Sequence, residues 1–231
     1  MKRAMPVRLL TRYIRDAQFR SLAGIYIGLA VDILYAAFRA IVGLKYGSRW
    51  FLSMAVYYAM LGMLRAYLIL GMRRAAPLGG SERLYYEYSC YRRTGFMLLA
   101  LNAAMGAMIS LMVIANLRYN YPGYIIYLSA LHAFYMFISA IINLAKSRRF
   151  GMPIFSAAKA VNLVAAMMSM MGLQTALIAR FSSDTEMYPR RMNAITGGVI
   201  CISVIAMAIY MLRHAYVMQR RIQNNEGTNR P

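Results

Sequence analysis

The stretch that decides the fold is AGIYIGLAVDILYAAFRAIVGL, which runs from Ala23 to Leu44. An α-helix needs roughly 20 residues to cross about 30 Å of hydrocarbon at about 1.5 Å per residue, and this stretch is of that length. Its only charged residues are Asp32 and Arg39. The sequence therefore predicts a transmembrane helix that carries a carboxylate near the middle of the bilayer.

Apolar runs of similar length follow along the rest of the chain, which is 61% hydrophobic and only 15% charged. Such runs predict an all-α integral membrane protein with six transmembrane helices. The connections between them are too short for a separate soluble domain, so residues 23–214 are predicted to form one transmembrane domain. The six predicted spans are Ala23–Leu44, Phe51–Met72, Gly95–Leu117, Tyr124–Leu144, Ile154–Ile178 and Ala194–Leu212.

Basic segments flank the predicted domain at both ends. In residues 1–22 the apolar side chains recur at helical spacing and the arginines take another face, which predicts an amphipathic helix at the membrane interface. No small-x-small cleavage site follows, so the first apolar run is interpreted as a retained span and not as a removed signal peptide. Residues 215–231 are predicted to form a basic, disordered cytoplasmic tail.

The net charge of +20 is distributed unevenly across the predicted membrane. Of the 27 Lys and Arg residues, 18 fall on the side of the N-terminus and six on the other side. This bias predicts that both termini are cytoplasmic and that the surplus charge contacts anionic lipid headgroups, not nucleic acid. Short loops and the lack of a glycosylation sequon favour a bacterial cell membrane.

A weak internal repeat indicates how the spans are organised. A shift of 100 residues gives six identities over residues 30–50, including Tyr35 with Tyr135 and Leu44 with Leu144. Three spans per unit would make the second unit enter from the opposite side, as in the inverted repeats of many secondary transporters. In an apolar sequence of low diversity such identities also arise by chance, and both interpretations stay open.

The repeat pairs Asp32 with His132, each about nine residues into its span. Ionisable groups at that depth usually face a bundle interior or a water-filled cavity. A carboxylate and an imidazole together could bind a cation or pass a proton, since histidine titrates near neutrality. The alternative is a static pair, or two residues satisfied by separate neighbours.

Other polar residues extend this candidate ion- or substrate-binding site along helical stripes. Ser129 and Asn143 share a stripe with His132, Asn162 lies in the fifth span, and Arg39 shares a face with Asp32. Such side chains also form hydrogen bonds between packed helices without any transport. The remaining intramembrane cations, Arg65 and Lys159, lie near predicted membrane faces, which their long side chains can reach.

Catalytic and metal-binding signals are weak in this chain. Ser156 and Lys159 match the S-x-x-K pattern of serine acylases, but the companion motifs are absent. Methionine pairs such as Met167 and Met171 could bind Cu(I), although methionine is also a flexible filler of apolar packing. We therefore expect no enzymatic activity, no cofactor and no metal site.

Two functions are compatible with these patterns. The first is a small transporter or channel for an ion or small polar solute, with a midplane site around Asp32 and His132. The second is a non-catalytic scaffold, assembly or regulatory subunit of a larger complex. A homo-oligomer or a membrane partner protein is compatible with both functions, since Gly24 and Gly28 form a small-x-x-x-small motif that favours close helix contacts.

Overall fold

A computed structural model describes residues 17–47, 49–115, 130, 134, 137–145, 152–181 and 187–228. These residues are almost all α-helical, and none of them is in a β-strand. Residues 137–145 are helical as well. The long helices are α1 (Ala17–Tyr46), α2 (Arg49–Ala75), α3 (Gly80–Ala115), α4 (Pro153–Phe181) and α5 (Met187–Thr228).

All five long helices are apolar enough over a sufficient length to cross a membrane. The predicted all-helical class is confirmed, and five of the predicted spans lie within α1 to α5, apart from the last residues of the third span. Most of the fourth predicted span, Tyr124–Leu144, lies outside the described residues, as do residues 1–16 of the predicted interfacial helix. Residues 17–22 of that segment continue directly into the first span as part of α1.

The α1–α2 hairpin is closed by a very short turn. Gly47 has a φ of 60°, a left-handed conformation that glycine adopts freely at the end of a helix. The helices that flank this turn run antiparallel, so Gly43 of α1 faces Leu52 of α2 and Tyr26 of α1 faces Arg73 of α2.

The α2–α3 connection also follows from local chemistry. Pro77 disfavours helical backbone in the residue before it, and α2 accordingly ends at Ala75. Gly80 supplies a positive φ of 52° where α3 begins. Glu82 lies in the first turn of α3, where a negative charge interacts favourably with the helix dipole.

The interior of the bundle is apolar and lies among α2, α3, α4 and α5. It includes side chains with no solvent exposure from each of these helices. Among them are Leu68 of α2, Leu98, Leu101, Met105 and Met108 of α3, Val161, Val164 and Met171 of α4, and Val204, Ala208 and Met211 of α5.

The α3 and α5 helices form one long antiparallel pair. Gly95 of α3 packs against Leu212 of α5, and Gly197 of α5 packs against Ile109 of α3. At one end of the pair Arg190 of α5 donates a hydrogen bond of 3.0 Å to the carbonyl oxygen of Val113 of α3.

Both helices of this pair extend well beyond their predicted spans at the other end. The α3 helix begins at Gly80, and α5 continues to Thr228 through the region predicted as a disordered tail. The two extensions support each other, since Gln219 donates a hydrogen bond of 2.7 Å to Ser89 and Ala215 is fully buried. Packing against α3 therefore explains why this polar segment is helical.

Candidate functional site

The candidate site is centred on Asp32, which lies in α1 and is only 3% exposed. Its Oδ2 is 3.2 Å from Nε of Arg65 in α2, and both side chains are nearly excluded from solvent. Neither atom has a hydrogen-bond partner, so the contact is an attraction between charges and not an aligned hydrogen bond. The pair neutralises the one acidic group within the first span and fixes α1 against α2.

Two glycines make room for this ion pair. A Cβ on Gly28 of α1 would overlap the guanidinium of Arg65, and a Cβ on Gly62 of α2 would be 3.5 Å from Cβ of Asp32. Each charged side chain therefore lies against a glycine of the opposite helix. Small residues at a transmembrane interface allow such close approach of two backbones. The predicted close contact at Gly28 is confirmed, whereas Gly24 has no neighbour within 4 Å.

Three tyrosines surround the ion pair. Tyr57 is almost fully buried and lies within electrostatic range of both Asp32 and Arg65. The ring of Tyr58 is 5.4 Å from that of Tyr57 in an edge-on arrangement and is stacked on Tyr35 of α1 at 5.3 Å. The hydroxyl of Tyr57 is buried without a hydrogen-bond partner. The site thus combines one carboxylate, one guanidinium and three phenols between only two helices.

Arg39 lies on α1, two turns after Asp32, and is half-buried. Its guanidinium carbon is 5.1 Å from the centre of the Phe51 ring, which gives a cation–π contact at the start of α2. Its Nε is buried and has no hydrogen-bond partner among the described residues. The Arg39 charge is therefore balanced by an aromatic ring, with no described carboxylate within salt-bridge distance.

The other predicted site residues do not form a described site with Asp32. His132 and Ser129 lie outside the described residues, so the proposed pairing of Asp32 with His132 stays a prediction. Asn143 is exposed in the 137–145 segment, and Asn162 is half-buried on α4. Because α1 packs mainly on α2 within the described chain, Asn162 belongs to a different part of the bundle.

The sequence alone does not identify the partner of Asp32, since its pattern predicts that Arg65 reaches for a membrane face. That interpretation is wrong, because Arg65 is 8% exposed and pairs with Asp32 inside the hairpin. The signal that identifies Arg65 as the partner is the register of the hairpin. Asp32 lies 14 residues before the end of α1, and Arg65 lies 16 residues after the start of α2, so an antiparallel pair places them at one level.

A second polar cluster joins the last turns of α4 to the first turns of α5. It lies at the opposite end of α5 from the extension that packs on α3. Oγ1 of Thr175 is 3.1 Å from Oδ1 of Asn193, and Thr196 donates a hydrogen bond of 2.8 Å to Oε1 of Gln174. Nε2 of Gln174 in turn donates to the carbonyl oxygen of Met192. These bonds use polar side chains to hold two helices together.

Asn193 and Thr196 therefore contribute to helix packing at this end of α5. Fully buried Met171 packs in the apolar core, as expected of a flexible filler. Among the described residues, no group of three or more His, Cys, Asp or Glu side chains is placed to hold a metal ion.

Comparison of the chain with protein-family models, with curated proteins and with solved structures finds no match. Function must therefore be inferred from the residues and their geometry.

Proposed function

We propose that the protein is a non-catalytic membrane subunit that acts as a scaffold, an assembly factor or a regulatory partner in a larger complex. The observation that supports this most strongly is the ion pair between Asp32 and Arg65. It neutralises the carboxylate by a contact within the chain, so Asp32 is held as a structural element of the hairpin. A transport site around Asp32 requires instead that the carboxylate meet a solvated path.

The position of α1 adds to this proposal. Only 11% of the apolar stretch of α1 is buried, compared with 50% for the apolar stretch of α2 and 61% for that of α4. The α1 helix packs mainly on α2 and presents a broad apolar face that includes Leu34 and Ile41, which are 70% and 67% exposed. A peripheral helix fixed by an ion pair is suited to contact a second membrane protein, and α1 is the proposed contact surface.

The proposed location is a bacterial cell membrane, with both termini in the cytoplasm. The support is the arginine-rich end of the bundle, where the α3–α5 extensions and the end of α2 carry the surplus positive charge. An excess of Lys and Arg marks cytoplasmic ends.

Flux measurements and crosslinking together test the subunit proposal. The chain, reconstituted in liposomes, is expected to give no ion or proton flux above that of empty liposomes. In native membranes, a photo-crosslinking residue at Leu34 of α1 is expected to capture one protein that also co-purifies at a fixed ratio. The matched control is Ile202 of α5, which is equally exposed at 68% and is expected to capture no such protein. Flux by the purified chain, or equal capture from both positions, contradicts the proposal.

A second candidate function is transport of an ion or small polar solute, and one specific observation favours it. Beside the ion pair, the hydroxyl of Tyr57 is buried without a hydrogen-bond partner, as is Nε of Arg39 further along α1. Buried polar groups without partners are uncommon and can mark a place where water or a solute binds. Under the inverted-repeat hypothesis, His132 would complete this site from the second half.

The antiparallel pair of α3 and α5 is compatible with an inverted repeat, but any alternating arrangement of spans gives the same result. An inverted repeat would match the contact of α3 with α4 by an equal contact of α2 with α5, and within the described residues the second contact is much smaller.

Transport is tested by Asp32→Asn in liposomes, with Glu82→Gln as the control because Glu82 is an exposed acid in the first turn of α3. Flux that is lost in the first variant and kept in the second supports transport. No flux in the wild-type chain rejects it.

A further inference from the structure

An amphipathic groove lies along one face of α5 at the arginine-rich end of the bundle. It has a cavity volume of about 540 Å³ and is lined by Ala206, Ile209, Tyr210, Arg213, His214 and Val217. These residues follow one another at steps of one and three, so they form a single stripe about 16 Å long. Because all six lining residues belong to α5, the groove is shallow and open on its outer side.

The groove changes from apolar to cationic where the predicted sixth span ends. Ala206 and Ile209 precede Leu212, the last residue of that span, while Arg213 and His214 follow it. A phospholipid has the same profile, because its acyl chains lie in the hydrocarbon and its phosphate lies just outside. Basic pockets at this depth of membrane proteins bind lipid headgroups.

The charge of Arg213 is available for a ligand. Its side chain is exposed and forms no salt bridge with a described residue. Other arginines at this end already have local contacts: Arg73 donates hydrogen bonds to the Tyr26 hydroxyl, Arg83 pairs with Glu87, and Arg220 lies over the Tyr216 ring. Arg213 therefore differs from these in having a charge that no described contact uses.

Aromatic rings hold His214 at the polar end of the groove. Tyr210 is stacked on it with a centroid separation of 5.7 Å, and Tyr88 and Tyr91 of α3 lie at 5.9 and 6.2 Å. Tyrosine is enriched at the membrane–water interface, where its ring and hydroxyl meet different environments. This cluster marks the same depth as the predicted end of the span.

The neighbouring helix brings further charge to this level. Gly95 of α3 packs against Leu212 of α5, so Arg92 and Arg93 of α3 lie level with Arg213. Arg93 is exposed. Positive charge at headgroup depth favours an anionic lipid over a zwitterionic one by about 1 kcal/mol for each Arg.

We propose that this groove binds one anionic phospholipid, with the acyl chain along Ala206 and Ile209 and the phosphate at Arg213. The proposal depends on the membrane location and not on the choice between subunit and transporter. A chain that fails to insert into liposomes overturns both the membrane location and the lipid site. A chain that inserts without lipid selectivity overturns the lipid site alone.

The test is native mass spectrometry of the purified full chain titrated with phosphatidylglycerol or with phosphatidylcholine. One phosphatidylglycerol is expected to bind more tightly than phosphatidylcholine, and Arg213→Gln is expected to weaken its binding about fivefold, as the loss of about 1 kcal/mol implies. Arg221→Gln is the matched control, since Arg221 is exposed on the same helix but lies two turns further out. Thermal unfolding in detergent checks that both variants are folded.

A second variant tests the apolar end of the groove. Ala206→Trp is expected to fill the space for the acyl chain and to weaken binding of both lipids. The proposal is overturned if the two lipids bind equally to the wild-type chain, or if Arg221→Gln weakens binding as much as Arg213→Gln. The proposal is also overturned if the chain is a dimer that Ala206→Trp dissociates, because a second copy then occupies the groove. It is overturned as well if inorganic phosphate protects the chain against thermal unfolding as much as the lipid does, because a free anion then explains the site.

Discussion

The α1–α2 and α3–α5 pairs are both antiparallel, yet different forces hold them. The α1–α2 pair includes a buried ion pair between Asp32 and Arg65. The α3–α5 pair places fully buried apolar side chains against each other along its length, such as Met105, Val204 and Met211. The two pairs pack about equally extensively, so the ion pair is a specific polar contact added to the packing of the first pair, whereas the second pair relies mainly on apolar side chains.

Removal of one charge of the ion pair should have the largest effect on stability. Arg65→Met leaves Asp32 as an unpaired buried charge, so we expect the free energy of unfolding to fall by about 3 to 5 kcal/mol. Reversible unfolding in mixed detergent and SDS measures the change. The double variant Asp32→Leu with Arg65→Met should recover most of the loss, because no charge then stays unpaired. Equal losses in the single and double variants would falsify the role given to the ion pair.

The next largest effect should come from the glycine that accommodates Arg65. Gly28→Ala places a Cβ where the guanidinium lies, and we expect a loss of about 1 to 3 kcal/mol because Arg65 must move away from Asp32. Gly24→Ala, one turn earlier in the same helix, has no neighbour within 4 Å and serves as the control. In the Arg65→Met background the penalty of Gly28→Ala should nearly vanish, which a double-mutant cycle detects. An unchanged penalty there would show that the glycine has another role.

A similar substitution in the α3–α5 pair should cost less. A Cβ on Gly197 would be 2.5 Å from Cγ2 of Ile109, so Gly197→Ala requires the isoleucine to shift. We expect a loss of about 1 kcal/mol, at the low end of overpacking effects, because the neighbouring contacts stay in place. Gly198→Ala is the adjacent control with open space around it, and its better helix propensity should leave stability equal or slightly higher. Equal responses of the two variants contradict close packing at Gly197.

The smallest effect should arise in the extension beyond the predicted spans. Gln219 is 4% exposed and bonds to Ser89 at 2.7 Å, so Gln219→Ala should cost about 0.5 to 1.5 kcal/mol. Gln223 is exposed and its contact with Tyr85 is longer at 3.4 Å, so Gln223→Ala should change stability less. Hydrogen exchange of residues 213–224 provides a local readout. If the two variants exchange alike, the Gln219 contact does not hold the extensions together.

The helices of the fold could be predicted well because their signal is local. Runs of about 20 apolar residues mark spans wherever they occur, and the five spans in the described part were located within a few residues of the observed helices, except where α3 and α5 continue outward. The continuation of α5 to Thr228 could not be predicted from composition. Most residues after Leu212 are polar or charged, and their helix packs beside α3.

The candidate site was predicted only in part. Asp32 was identified because a carboxylate in hydrocarbon is unfavourable in free energy, and the local sequence alone shows that Asp32 lies in an apolar run. Its partner depends on which residue of α2 lies opposite, and that follows from the short turn at Gly47 and from the room provided by Gly28 and Gly62.

The sequence by itself determined that this chain is helical, that its helices are long and apolar enough to cross a membrane, and that Asp32 must find a partner. These properties depend on the free energy of placing each residue type in hydrocarbon, which is a local quantity. The tertiary structure alone decided that the partner is Arg65 and that α5 extends beyond its span against α3. Both outcomes depend on contacts between distant residues, whose register is set by the packing of whole helices.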